Sequence, residues 1–587
     1  QRIIIISFIM MRFSGILSFL LLIGTALSLP ADDLIEELPS FGKTPTQHYS
    51  GYLDASKGCD IFTNGPICKI HYWLALAEED PMNKPVVLWL NGGPGSSSLL
   101  GFLEEEGPLL MNATGGLMVN PWSWTKLVNL VAIEAPMGVG YSYCSRQMNG
   151  KPCKNTDRYT ASASRAALVD FFTTKFPELA KNEFYITGES YAGVYIPTLS
   201  KEILDHSDIN LKGIAVGDPC TDNKAQDDSM NSLWYANKYG LMDEEVFDML
   251  WNKCNIRLPS LMTMGGMAHV ISTLNDELKA IQDLDARKEK ANALYHKVIL
   301  NGAFHQAKDS PECTIALRKF MMSSSHGLSQ SWKDLYIDDY SLFSPVSNLE
   351  DEQMATYISR ADVRKALHVE EAPTTSWPGA DVGFDYTKEY KACNWGDPLL
   401  DISMIDIYRE IVPKLERTWI YNGDTDPCVS YEGTRLAVKQ IQLNELDGGA
   451  YRPWFYNQTA APVEILATKA ALFGPNLVAQ NMGAQFGGEV VDYEEGLSFV
   501  TFHGSGHMVP QFRPQAALHF LHQFLLSDQT LSPLMPSNKT LTELDDADFS
   551  STMAKWTESA MKAPYVLPDL VAEHFSHARN PMIHQMT

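Results

Sequence analysis

The chain has 587 residues, 45% of them hydrophobic, which is ample for a large core and is not the composition of a disordered protein. Its formal net charge is −25, and so acidic a balance sets aside nucleic acid as a partner, because that recognition needs a basic patch. At the N-terminus, "MRFSGILSFLLLIGTALS" (11–28) joins one basic residue, an apolar run and small residues, the layout of a secretory signal peptide over 1–28. Translation is then expected to start at Met10 or Met11; a signal anchor is the alternative reading. No later stretch is long and apolar enough to span a bilayer.

Next come six short apolar runs that read as buried strands: "PVVLWL", "NLVAIEAP", "EFYITGES", "LKGIAVGD", "RTWIYNGD" and "LSFVTFHG". Helix-like segments such as "ASASRAALVDFFTTKF" lie between some of them. This alternation predicts an α/β chain with a mostly parallel sheet and helices on both faces. Between 218 and 349 the pattern shifts to charged, Met-rich, helix-like sequence, read as a helical insertion or lid within a main domain over 40–528. Residues 529–587 turn polar and read as a C-terminal extension with a helix near Trp556. Secretory entry makes disulfides expected among nine cysteines. Cys59/Cys68 and Cys144/Cys153 bracket short loops, Cys254 and Cys313 are further candidates, and the odd count leaves at least one thiol over. Sequons stand at Asn112, Asn457 and Asn538.

The chemistry concentrates at strand ends. "FYITGESYAG" is a strand, a tight turn and a helix start, the layout of a nucleophile elbow, with Ser190 between the small residues Gly188 and Ala192. In that layout the acid and the histidine follow in order. "WIYNGDTDPCVSY" offers Asp426, three residues after Gly423, with Asp424 read as a turn cap; "VTFHGSGHMVP" offers His507 in a Gly-rich turn, with His503 nearer the strand. In such a triad the histidine takes the serine's proton and the acid holds the imidazole. An oxyanion hole requires backbone N–H donors, for which Tyr191 (after the serine) and Gly93 in "NGGPG" are the candidates. The bland alternative, a phosphate cradle, lacks the Lys-Ser/Thr ending. No cysteine spacing suggests a zinc site, and no cofactor is implied.

With these residues placed, "LWLNGGPGSSSLLG", "GESYAGVYIP", "YNGDTD" and "GSGHMVPQFRPQAAL" resemble the signature blocks of the serine carboxypeptidase family, in family order. "VNLVAIEAPMGVGYSY" and "RADVRKALHV" resemble further family segments, and the likeness runs from about Ser40 to Asp528. The resemblance implies an α/β-hydrolase fold and removal of C-terminal residues from peptides through an acyl-enzyme. It implies Ser190, Asp426 and His507 as triad, Gly93 and Tyr191 as oxyanion donors, and Asn91, Glu105 and Glu189 as the grip on the substrate carboxylate, supported by Trp89. Two close carboxylates share a proton at mildly acid pH, so activity is expected to favour acid. Relatives also include acyltransferases and a protein that stabilises other hydrolases; the intact triad and carboxylate set favour the peptidase. A vacuolar, lysosomal or extracellular location and a homodimer are compatible with the resemblance.

One departure stands out. The family pattern is usually "N-G-G-P-G-C-S-S", its cysteine bridged to a distant "C-N" pair; this chain has Ser96 there and retains Cys393-Asn394. Cys393 is therefore expected as the thiol left over, unless Cys428 or Cys220 has taken it, and Ser96→Cys is expected to bridge to it.

Overall fold

The computed structural model describes residues 29–257, 310–323, 348–377, 385–473, 482–526 and 530–562. The expected signal peptide, residues 1–28, lies outside the described residues. Twelve strands form one sheet: β1 (Leu34–Ile35), β2 (His48–Asp54), β3 (Cys68–Ala75), β4 (Val86–Leu90), β5 (Asn129–Ile133), β6 (Tyr143–Cys144), β7 (Phe184–Glu189), β8 (Leu211–Gly217), β9 (Arg417–Gly423), β10 (Arg452–Gln458), β11 (Gly483–Asp492) and β12 (Leu497–Phe502). Their order is β1-β2-β3-β5-β4-β7-β8-β9-β12-β11-β10, with β6 also on β3.

The middle of this sheet is parallel, from β5 through β4, β7, β8 and β9 to β12. Those six strands are the six apolar runs of the sequence. The reason is burial on both faces, which parallel strands acquire from their crossover helices. Val86, Leu88, Phe184, Ile186, Ile420 and Phe499 face one core, and Val87, Trp89, Tyr185, Trp419, Val500 and Phe502 face the other. The flanks are antiparallel, β1-β2-β3-β5 on one side and β12-β11-β10 on the other.

Helices cover both faces. The first core takes residues of α2 (Asp157–Asp170), α3 (Ala192–His206), α4 (Met404–Ile411) and α5 (Tyr431–Lys439). The second takes α1 (Leu99–Glu104) and α6 (Pro514–Leu525). Each fully buried Leu, Ile or Phe in these layers contributes roughly 1.5–3 kcal/mol. Among the described residues of 218–349 there are helices and no strand; Leu233, Trp251, Leu317 and Phe320 there build a small core of their own. Residues 258–309 and 324–347 lie outside the described residues. Beyond the sheet, helices run over Asn538–Glu543 and Asp546–Lys562, and the Trp556 Nε1–H donates to the Pro533 and Leu534 carbonyls. Of the three sequon asparagines, Asn538 is exposed and Asn112 and Asn457 are half-buried.

Four disulfides join Cys59–Cys68, Cys144–Cys153, Cys220–Cys393 and Cys254–Cys313. This corrects the expectation for Cys393: its partner is Cys220, 173 residues away with a Cα–Cα distance of 5.4 Å, and the ninth cysteine is Cys428, a buried thiol. The cause is a docking that spacing does not reveal. Asn223 N–H donates to the Lys391 carbonyl (3.0 Å) and Asn394 N–H to Asn223 Oδ1 (3.1 Å), holding the two segments together. With its sulfur already bonded, Cys393 has none to offer Ser96→Cys, and that expectation falls too.

Candidate active site

Ser190 follows β7 directly, with a φ of 66°, and its hydroxyl-bearing residue is 6% exposed. A positive φ on a non-glycine residue marks the sharp turn of an elbow. Its N–H donates to the Gly217 carbonyl (2.9 Å), and its own carbonyl accepts from Gly193 N–H (2.9 Å) and Cys220 N–H (3.0 Å). Small neighbours are obligatory: a Cβ on Gly188 would lie 2.1 Å from the Leu90 carbonyl oxygen, and one on Gly193 2.4 Å from that of Cys220.

Asp426 and His507 lie beyond the ends of β9 and β12, adjacent parallel strands. His507 Nδ1 is 2.8 Å from Asp426 Oδ2. Asp426 also accepts from Cys428 N–H at Oδ1 (2.7 Å) and Val429 N–H at Oδ2 (3.1 Å), and both side chains are almost fully buried. His507 and Ser190 line one cleft of about 210 Å³, together with Asn91, Gly93, Glu105 and Glu189. Asp424 and His503 form a pair of their own at 2.8 Å, and Asp424 also accepts from Gly504 N–H (2.7 Å). They do not line the cleft.

The glycine loop meets the elbow backbone to backbone. A Cβ on Gly92 would fall 2.3 Å from the Tyr191 nitrogen, and Gly93 has a φ of 107°. The two sequence-predicted oxyanion donors, Gly93 and Tyr191, therefore lie in adjoining segments. The three serines after the loop take other tasks. Ser96 lines the cleft, Ser97 Oγ donates to Glu134, and Ser98 Oγ accepts from Asn91 N–H (3.3 Å).

One wall of the cleft is acidic and ordered. The Asn91 side-chain oxygen accepts from Trp89 Nε1–H (2.9 Å) and Gly101 N–H (3.0 Å), which fixes the amide so that Nδ2 points the other way. Asn91 Nδ2 donates to Glu189 Oε1 (3.1 Å) and lies 3.5 Å from Glu105 Oε1. Burial first, and then the charges of Glu105, Glu106 and Asp426, push Glu189 well above the usual carboxylate range. Burial and Glu105 do the same to Glu106, whose two oxygens are buried without a hydrogen bond among the described residues. Glu104 lines the cleft beside Glu105.

Sequence reasoning missed three features. Asp218, at the end of β8, lies against Asp426. Gln511, Met508 and Asp351 complete the cleft wall. Glu134 is a buried hub that binds His71 Nδ1 (2.8 Å), Tyr141 N–H (2.7 Å) and Trp377 Nε1–H (2.7 Å) as well as Ser97. The one usable cue was an acid following an apolar run, present in both "LKGIAVGD" and "NLVAIE".

A family model for serine carboxypeptidases matches residues 39–527. Serine carboxypeptidase-like 35 of Arabidopsis thaliana is 30% identical over 513 residues, covering 84% of this chain and 91% of that protein. Serine carboxypeptidase-like 25 of the same plant is 30% identical over 510 residues, covering 84% and 91%. Among solved structures, KEX1(delta)p, a prohormone-processing carboxypeptidase from Saccharomyces cerevisiae, shares the fold with a TM-score of 0.54 at 19% identity, over 81% of this chain and 90% of that one. The match over residues 39–527, which takes in every strand of the sheet but β1 and every strand end that borders the cleft, makes this chain a member of the serine carboxypeptidase family, a serine-type hydrolase of the α/β-hydrolase fold.

Proposed function

We propose that this enzyme removes single residues from the C-termini of peptides and proteins through an acyl-enzyme on Ser190, and does so best at mildly acid pH. The observation that carries the reading is Asn91 Nδ2 set between Glu105 and Glu189 in the same cleft as Ser190 and His507. A free α-carboxylate docked on that wall places the last peptide bond at the nucleophile. Ser190 Oγ attacks the carbonyl while His507 Nε2 takes its proton, and Asp426 stabilises the resulting imidazolium through Nδ1–H. The N–H groups of Gly93 and Tyr191 hold the oxyanion. His507 then protonates the departing amine, which leaves as a free amino acid, and water repeats the attack to release the shortened peptide.

A carboxylate grips another carboxylate only with a proton between them. The raised affinity of Glu189 for its proton keeps that donor in place under mild acid. As pH rises through the raised value the proton leaves, and substrate binding weakens. An acid compartment on the secretory route, with the catalytic unit over 40–528, suits this dependence and the four disulfides. No helix among the described residues is long and apolar enough to cross a membrane.

The test compares a blocked peptide bearing a free C-terminal carboxylate with its C-terminal amide, beside Ser190→Ala. Release of the last residue from the free acid, lost in the variant, is expected. Equal cleavage of acid and amide, or release that survives Ser190→Ala, would sink the reading.

A further inference from the structure

We propose that Asp218 is a positioning residue for the triad: it carries a proton and donates it as a hydrogen bond to Asp426, holding that carboxylate ionised and aimed at His507. The inference rests on the triad reading above and extends it by one carboxyl group.

Asp218 is the first residue after β8, is fully buried, and has a φ of 44°, a left-handed conformation that Asp tolerates better than most side chains. Its N–H donates to the Tyr421 carbonyl (2.7 Å). Oδ1 accepts from Gly423 N–H (2.9 Å) and Asn422 Nδ2 (3.0 Å), in the strand that leads to Asp426. Oδ2 is buried and accepts from no N–H or hydroxyl group among the described residues. The carboxyl is within hydrogen-bond reach of Asp426, and Asp218, Asp426 and His507 each present an oxygen or nitrogen within 4.8 Å of the others.

Two buried carboxyl groups in contact cannot both be ionised without large repulsion, so one proton lies between them. The donors decide where it rests. Asp426 already accepts from two backbone N–H groups and faces His507 Nδ1, the better setting for an anion. Asp218 has an unfilled buried oxygen and a carboxylate within reach, the setting for an O–H. The titratable groups facing it are Asp426, Glu189 at the end of β7, Tyr421 on β9 and His507 after β12. Burial, and next the charge of Asp426, push Asp218 well above the usual carboxylate range, with Glu189 adding to the shift. Loss of this proton at high pH would set two anions against each other and turn Asp426 away from the imidazole.

The test follows the rate at which an uncharged fluorophosphonate ester labels Ser190, as a function of pH, in the wild type, Asp218→Asn and Asp218→Ala. The probe has no carboxylate, so the Asn91/Glu105/Glu189 wall does not enter. An asparagine accepts at Oδ1 and donates from Nδ2 at every pH. Asp218→Asn should therefore label near the wild-type rate in mild acid and lack the alkaline decline of the wild type. Asp218→Ala leaves Gly423 N–H unsatisfied and Asn422 Nδ2 with the Val429 carbonyl alone, removes the donor to Asp426, and should label roughly tenfold to a hundredfold more slowly. Superimposable pH profiles for wild type and Asp218→Asn would overturn the proposal. So would Asp218→Ala at the wild-type rate, or Asp218→Asn as slow as Asp218→Ala. If Asp218→Ala does not fold, the Asp218→Asn profile decides alone. Labelling without release of amino acids from any peptide would overturn the carboxypeptidase reading and leave this comparison standing; no labelling of Ser190 would overturn both.

Discussion

Two aspartate–histidine pairs stand on the same loops, Asp424 with His503 and Asp426 with His507, and each has a 2.8 Å contact to Nδ1. Asp426–His507 is almost completely buried, whereas the His503 side chain is 59% exposed and that of Asp424 25%. Contact distance does not separate them. What separates them is the neighbourhood: the buried pair opens onto the cleft with Ser190, and the exposed pair ties the turn through Gly504 N–H. A third arrangement makes the same point from the other side. Ser50, His71 and Glu134 repeat the order serine, histidine, acid with 2.8 Å contacts, yet the Ser50 hydroxyl donates to the Leu367 carbonyl (2.7 Å) and all three are buried in the core. A catalytic set needs a low-dielectric interior on one side and reachable space on the other.

The strongest way to break this contrast is to neutralise each acid in turn. Asp426→Asn should lower kcat/KM on a free-acid peptide by about 10⁴-fold, whereas Asp424→Asn should leave it essentially unchanged. Comparable losses would erase the distinction. The support behind the buried side comes next. Cys220→Ser with Cys393→Ser should cost about 2–5 kcal/mol in denaturant unfolding under non-reducing conditions. Because Cys220 N–H holds the Ser190 carbonyl, activity should fall before global unfolding.

A smaller effect is expected at the acidic wall. Asn91→Ala should lower kcat/KM for a free-acid peptide roughly 10- to 100-fold and change Ser190 labelling by the fluorophosphonate little. The smallest concerns stability against pH. Glu106 and Glu189 bind protons more tightly folded than unfolded, so the stability they contribute is complete below the ordinary carboxylate range and is lost as pH rises through their raised values. Tm should therefore decline toward alkaline pH, and Glu106→Gln should flatten that decline; a variant curve parallel to the wild type would remove Glu106 from the account.

The sequence was most readable where burial is two-sided. Six apolar runs became the six parallel strands, and the candidate site residues are those that border the cleft or brace it. The antiparallel flanks were invisible for the converse reason. β2 ("HYSGYLD") and β10 ("RPWFYNQ") mix polar and aromatic residues, because edge and near-edge strands need no continuous apolar stretch. Cys393 was misread because a bridge over 173 residues is set by how segments dock, not by their spacing. Asp218 escaped because a lone acid after a strand usually caps a turn; only the convergence of β8 and β9 turns it toward Asp426.

The near-contact between Gly92 and the Tyr191 nitrogen fixes where this enzyme is open to change. A Cβ on Gly92 would lie 2.3 Å from that nitrogen, so there is no room for even a methyl group, and the two segments that carry the proposed oxyanion donors behave as one casting. Selectivity cannot be retuned from that side without spoiling the chemistry. The adjustable surface is the rest of the cleft wall, which Leu100, Asp351, Met508 and Gln511 line. New substrate preferences would have to be carved there, with the reaction centre left as it is.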